Sequence, residues 1–301
     1  MTAETNPQVH RIAQAQGGVI LRRQAWECGL TSTQIRWLVR TGRWLPLQHG
    51  ALLVDAHRHA PGAGPPLIAA LWAAHLRCGP RSVIALGSAA RLYGLSGLSR
   101  EMPRVDVILP RGRLPVPDQR VRVHLADLRT EEVVRIGRLP VTTPVRTLAD
   151  LLLAAPEPQA LALLDSALHR GLVTRRDLAR VERALTGRRG AEAARAVLPL
   201  ADGRAATPLE SRARLDCLRG GVPPDHLHYR ALLPSGRLLA QAPLCWTRGL
   251  RRPLLAHPDG RELHTPEPFG THAVLHFSWA DAIRPGRVAG FVRDALDRLR
   301  D

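Results

Sequence analysis

The fold is read from one stretch: Thr31-Ser32-Thr33-Gln34-Ile35-Arg36-Trp37-Leu38-Val39-Arg40-Thr41-Gly42-Arg43-Trp44-Leu45-Pro46-Leu47-Gln48-His49-Gly50-Ala51-Leu52-Leu53-Val54. Thr31 and Gln34 have the Thr-x-x-Gln spacing of a capping box, in which the two side chains satisfy orphan amides reciprocally at a helix start. Ile35, Leu38 and Val39 then recur at helical spacing, leaving Ser32, Thr33, Arg36, Trp37 and Arg40 on the other sides. This predicts a helix with a dry face and a basic face. After Thr41-Gly42, the runs Arg43 to Leu47 and Ala51 to Val54 flank Gln48-His49-Gly50 and predict a β-hairpin with Gly50 in its turn.

Upstream, Val9 to Gln16 is a short amphipathic segment ending at Gly17-Gly18, and Arg22 to Cys28 is a second helical segment closed by Gly29. Helix, helix, turn, helix, hairpin is the order of a winged helix-turn-helix. Such a third helix sets its N-terminal residues against base edges in the major groove. Ser32, Thr33 and Arg36 are therefore the candidates for base or phosphate contact. Arg40 and Arg43 are candidates for phosphate, and Arg22 and Arg23 for backbone contact from the second helix. Trp44 is expected in the core between helix and hairpin, and His49 in the turn.

Composition agrees with a polyanion partner. The 301 residues carry a formal charge of +17, with a pI near 11.5. All 43 basic residues are Arg. A GC-rich coding bias accounts for Arg in place of Lys but not for the excess over Asp and Glu, and Arg is also the better fork for phosphate and guanine edges. With only three Phe and two Tyr, stacking platforms for single strands are not expected. Cys28, Cys78, Cys217 and Cys245 form no Cys-x-x-Cys pair, which fits a reducing cytoplasm. The start from Met1 to Gln8 is polar without a basic-then-apolar pattern, and the apolar run from Leu67 to Leu76 is broken by His75, so neither a leader nor a membrane segment is expected.

The chain is similar at specific places to known families. Gly29-Leu30-Thr31, Gln34-Ile35-Arg36, Val39-Arg40-Thr41-Gly42-Arg43-Trp44 and His49-Gly50-Ala51-Leu52 resemble the N-terminal domain of AbiEi-family antitoxins. The middle segment continues the resemblance through the helix-like Ala85-Leu86-Gly87-Ser88-Ala89-Ala90-Arg91-Leu92-Tyr93-Gly94-Leu95. It runs on through Gly137-Arg138-Leu139-Pro140-Val141-Thr142-Thr143-Pro144-Val145-Arg146-Thr147-Leu148-Ala149-Asp150-Leu151, where Thr143 before Pro144 is a natural N-cap. Between them Val105 to Pro110 and Val121 to His124 alternate as strands. Arg146 and Asp150, four residues apart, read as a helix-surface ion pair or a partner contact. Further helices are expected from Gln159 to His169, Thr174 to Ala184 and Ala191 to Leu198, with Gly187-Arg188-Arg189-Gly190 as a basic turn. The resemblance implies binding to the promoter of the chain's own operon and opposition to a nucleotidyltransferase-type toxin.

From Thr207 a second resemblance begins. Thr207-Pro208-Leu209-Glu210-Ser211-Arg212, Gln241-Ala242-Pro243-Leu244-Cys245-Trp246, Asp259-Gly260 and Ala273-Val274-Leu275-His276-Phe277-Ser278-Trp279-Ala280-Asp281 are similar in order to Vsr-like endonuclease domains of the PD-(D/E)XK class. The resemblance implies a Mg²⁺ site of carboxylates, yet Pro243 stands where its Asp is expected and His257 where its Glu is expected. Glu210 and Asp259 survive, and the region after Gly260, with Pro266, Pro268 and Gly270, is short by a helix. His226 and His228, with His257 or His264, lack a carboxylate or Cys at a recognised ligand interval, so no metal is expected. No phosphate loop, nucleophile elbow or dinucleotide fingerprint is present, and no cofactor is expected.

The sequence thus predicts an α+β protein of three parts: a winged helix-turn-helix (1–60), a mixed α/β AbiEi-like middle domain (61–204) and a degenerate restriction-endonuclease-like α/β domain (205–301) that does not cut. Double-stranded operator DNA is the expected partner, read as an inverted repeat by a homodimer, with a toxin as second partner. The alternatives are a Mg²⁺-dependent endonuclease using Glu210 and Asp259 as a rearranged pair, and an interaction scaffold without specific DNA binding.

Overall fold

A computed structural model of the chain describes residues 6–47, 50–56, 65–99, 101–112, 119–232, 235–259, 267–269 (backbone only) and 272–300. Among them lie twelve α-helices and three sheets, an α+β arrangement. Contacts gather the chain into two units, residues 1–94 with 99–147 and residues 95–98 with 148–301.

The first unit opens with α1 (Pro7–Ala15), β1 (Val19–Leu21), α2 (Arg22–Glu27), α3 (Ser32–Arg40), β2 (Leu45–Pro46) and β3 (Ala51–Leu53). Asn6 caps α1, its Oδ1 accepting from the amides of Gln8 and Val9. Gly17, between α1 and β1, takes φ +63° and lies so close to Trp72 that a Cβ would collide with the indole. The hairpin β2–β3 forms where expected; Gln48 and His49 of its turn lie outside the described residues. The sequence did not announce β1, which pairs antiparallel with β3 from Val19↔Leu53 to Leu21↔Ala51 and makes the order β1-β3-β2. Both faces of this small sheet are covered. Ile20 and Leu52 turn to a core with Val9, Ile35, Leu38 and Trp44, while Val19, Ala51 and Leu53 join a second core with Leu71 and Trp72.

That second core also serves α4 (Leu67–Cys78), β4 (Val83–Ile84), α5 (Leu86–Leu92), β5 (Val105–Leu109), β6 (Val121–Leu125), β7 (Val133–Ile136) and β8 (Leu139–Thr142). Their sheet has the order β6-β5-β4-β8-β7, with β5–β6 and β4–β8 parallel. Strands β5 and β6 stand where alternation placed them. Gly137 turns the hairpin β7–β8, so the first part of the 137–151 stretch is a strand and only its second part, from Pro144, is helical as α6 (Pro144–Leu152). Thr143 does sit at the start of α6, its Oγ1 accepting from the Arg146 amide.

The second unit holds α7 (Glu157–His169), a 3₁₀ turn at Arg175–Asp177 leading into α8 (Leu178–Leu185), α9 (Ala191–Val197) and α10 (Pro208–Arg219). The sheet that follows contains β9 (His226–Leu232), β10 (Leu238–Trp246), β11 (Leu254–His257), β12 (Glu267–Phe269) and β13 (His272–His276), in the order β12-β13-β11-β10-β9. Strands β9, β10 and β11 are antiparallel neighbours, and β11–β13 is parallel. Helix α11 (Trp279–Ala282) is followed by α12 (Arg287–Arg300), which buries Val288, Val292, Ala295 and Leu296 against Trp246, Leu254, Leu275 and Phe277. Buried Asp165 on α7 accepts from Arg214 of α10 at 2.9 Å and from the Asp202 amide at 2.6 Å.

Candidate nucleic-acid interface

Helix α2 ends in a Schellman motif: the Gly29 amide donates to the Trp26 carbonyl and the Leu30 amide to the Ala25 carbonyl. Gly29 supplies the φ of +87° that this geometry needs. Leu30 is thereby dropped into the core beside Ile35 and Leu38, and Thr31 is left at the head of α3. The capping box then forms as the sequence requires, Gln34 N donating to Thr31 Oγ1 at 3.2 Å and Thr31 N to Gln34 Oε1 at 2.8 Å.

With Ile35 and Leu38 fully buried, the outer arc of α3 presents Ser32, Thr33, Arg36, Trp37 and Arg40 to solvent. Arg36 donates to Thr33 Oγ1 at 3.4 Å. Among the described residues no carboxylate lies within 4.0 Å of Arg22, Arg23, Arg36 or Arg40. In residues 6–56 the only acids are Glu27 and Asp55, against Arg11, Arg22, Arg23, Arg36, Arg40 and Arg43, and Asp55 faces His10 at 3.6 Å. Arg43 lies over the Trp37 ring, 5.1 Å from its centroid, and Trp44 is buried as expected. The structure brings Ser32, Thr33, Arg36 and Arg40 together on one helix face; Arg43 follows in the next loop, and Arg22 and Arg23 begin α2.

Glu210 and Asp259, the carboxylates expected of a nuclease-like site, sit in a different environment. Glu210 is 8% exposed. Its carboxylate accepts from the Ala206 amide and the Thr207 hydroxyl at 2.9 and 3.1 Å, with His228 Nε2 at 3.7 Å. It completes the N-terminal cap of its own helix. Pro243 precedes Leu244 on β10, and Leu244 pairs with Ala256, the neighbour of His257, so Pro243 and His257 lie side by side. His257 pairs with His276 on β13, their rings stacked at 5.4 Å, and Asp259 is 3.0 Å from His276 Nδ1. His226 lies against Tyr229; His264, Gly260, Pro266 and Gly270 are outside the described residues. Among the described residues no group of three or more His, Cys, Asp or Glu is placed to hold a metal ion.

Arg146 and Asp150 correct one expectation. They are 9% and 7% exposed, buried rather than on the helix surface. Arg146 pairs with Glu132 at 3.0 Å and Asp150 with Arg188 of the basic turn at 2.7 Å. Sequence reasoning also missed two buried ties: Tyr93 donates to the Thr142 carbonyl at 2.8 Å, and the Asp106 amide donates to Ser88 Oγ at 2.8 Å. Burial pushes the Tyr93 phenol up to about 12, which keeps it protonated as a donor near neutral pH. Both residues lie in the 85–95 stretch quoted above, whose recurring pattern was the available signal.

The class that these features define is an α+β protein with three sheets. Residues 82–200 match the family model of the AbiEi antitoxin C-terminal domain, which supports grouping the segment with AbiEi-family antitoxins. Two relatives from Mycobacterium tuberculosis, the uncharacterized proteins MT2308 and Rv2248, are each 35% identical over 166 residues, spanning 55% of this chain and 59% of theirs. A solved structure, the RV2827C protein from Mycobacterium tuberculosis, aligns at 18% identity with a TM-score of 0.44, covering 75% of this chain and 87% of that one. Among the described residues no helix is long and apolar enough to cross a membrane.

Proposed function

We propose that the chain is a cytoplasmic DNA-binding antitoxin-like regulator whose first 60 residues form a winged helix-turn-helix and repress its own operon. Helix α3 reads an inverted repeat as part of a homodimer, with Ser32, Thr33 and Arg36 at base edges or phosphate. Arg40 and Arg43 grip phosphate, and Arg22 and Arg23 hold the backbone from α2. The observation that carries this reading is the outer arc of α3, where Arg36 and Arg40 stand exposed with no carboxylate among the described residues beside them, on a helix fixed by its cap and its dry face. Folding has left these charges unneutralised, and phosphate is the partner that a fork of N–H donors fits. The AbiEi match over 82–200 supports the second half of the proposal, that the chain counters a nucleotidyltransferase-type toxin.

Residues 205–301 are proposed as a degenerate nuclease-like domain that does not cut. Pro243 offers no ligand, and Glu210 is engaged at its own helix cap.

The test is binding to a labelled fragment of the DNA upstream of the chain's own gene against a scrambled fragment, from about 50 to about 300 mM salt with Mg²⁺ present. A preference that persists at high salt, with both fragments intact, is the expected result. Equal, steeply salt-dependent binding to both sinks the specific-repressor reading, and cleavage abolished by Glu210→Ala sinks the non-cutting one.

A further inference from the structure

The outer arc of α3 carries one side chain that charge does not explain. Trp37 is 40% exposed on a helix whose other outward residues are hydroxyls and arginines. It lies one turn beyond Thr33 along the same face, at one edge of the arc, with Arg40 and then Arg36 farther round to one side. Leaving a large aromatic in water forgoes the favourable burial of its apolar surface. The protein nevertheless holds it outward. The Arg43 guanidinium covers the ring at 5.1 Å, and the Thr41 hydroxyl donates to the Trp37 carbonyl at 2.9 Å, fixing the last turn of the helix from which the indole projects.

An apolar ring among three guanidiniums and two hydroxyls is poorly matched to an apolar protein surface, which would have to desolvate those charges. It is matched to a polyanion that also presents apolar groups beside hydrogen-bonding edges. The major groove of duplex DNA has this character, because each thymine shows a C5-methyl group next to its O4 acceptor. We propose that Trp37, braced by Arg43, is a specificity-determining residue that packs on thymine methyl groups in the major groove, while Thr33 and Arg36 take the polar edges of the same site. This rests on the DNA-binding reading above and assigns part of its sequence preference to apolar contact.

The test compares upstream fragments made with thymidine or with deoxyuridine throughout, which differ in the thymine methyls, on wild type, Trp37→Ala and Trp37→Phe, with the scrambled fragment as control. Wild type should bind the uracil fragment more weakly, by about four-fold for each methyl in contact. Trp37→Ala should bind the thymine fragment more weakly and lose nothing further on the uracil fragment, since protein and methyl deletions act on one contact. Trp37→Phe should keep part of the methyl dependence. Because Trp37 adds little to the core, the variants should unfold like wild type, and circular dichroism checks this. A methyl dependence equal in wild type and Trp37→Ala, or none in wild type, overturns the assignment even where the upstream fragment is preferred. No preference for the upstream fragment by wild type would instead remove the DNA reading, and the inference with it.

Discussion

Arg36 on α3 and Arg214 on α10 are the same residue type on capped helices, and the two units treat them oppositely. Arg36 stands in solvent with one long contact to Thr33, whereas Arg214 is 5% exposed and donates to a fully buried Asp165. The same contrast separates Arg22, Arg23 and Arg40 from Arg188 with Asp150, Arg287 with Asp281 and Arg204 with Asp202. A net charge of +17 therefore says little about where a polyanion would sit. The informative arginines are those that folding has not already matched with a carboxylate.

Removing the matched charge should have the largest effect. Asp165→Ala leaves Arg214 buried without its partner and should cost about 3–5 kcal/mol in denaturant unfolding. Replacing both members by apolar residues of similar volume should recover most of this, and a double variant as unstable as the single one would break the contrast. The exposed set should behave inversely. Arg36→Ala should leave stability unchanged yet reduce discrimination between upstream and scrambled DNA by about 1–3 kcal/mol, while Arg40→Ala weakens both alike. Equal effects of the two variants on both DNAs would remove the division of roles between base edge and phosphate.

Thr31→Ala sharpens the comparison, because it touches none of the exposed arginines but loosens the helix that carries Arg36 and Arg40. It should cost about 1 kcal/mol of stability through the lost cap. Its DNA binding should fall only as far as α3 frays, which circular dichroism would follow. The smallest effect concerns His75, buried on α4 with Nδ1 2.8 Å from Ser82 Oγ. Burial lowers its pKa below 6.5, helped by Arg135 and opposed by the Ser82 carbonyl. The unfolded chain then takes up the proton first as pH falls, so the contribution of His75 is complete above pH 6.5 and is lost as pH drops through the lower folded value. Unfolding measured between neutral and mildly acidic pH should show this decline, and His75→Gln should flatten it. A decline unchanged in that variant would assign it to other groups.

Much of α3 and its surroundings was legible because each determinant is local. The capping pair, the apolar stripe and the glycine that closes α2 all act within a few residues of each other. Strand β1 was not legible, since three residues show no alternation and their pairing with β3 is set about thirty residues away. The strand character of 139–142 was hidden by its continuity with the Thr143-Pro144 helix start, although the proline did mark where the helix begins. Helix α12 was overlooked, though Val288, Val292, Ala295 and Leu296 repeat at helical spacing. The burial of Arg146 and Asp150 could not be read at all, because Glu132 and Arg188 come from outside their helix. The sequence named Pro243 and His257 as substituted positions, but their adjacency on β10 and β11 and the hold of Ala206 and Thr207 on Glu210 depend on pairing and packing that it does not display.

The two sheets of the first unit close over very different lengths of chain. The strands of β1-β3-β2 all lie within residues 19–53, and the helices that cover one face lie within residues 7–40. In the other sheet, Ile84 waits for Val141 and Tyr93 for Thr142. Loops of that size close late and slowly. During synthesis, which runs from the N-terminus, the segment bearing α3 has all its strand partners before the strand that completes the next sheet has been made. The order of assembly therefore favours a formed α3 surface on a chain that is still being translated.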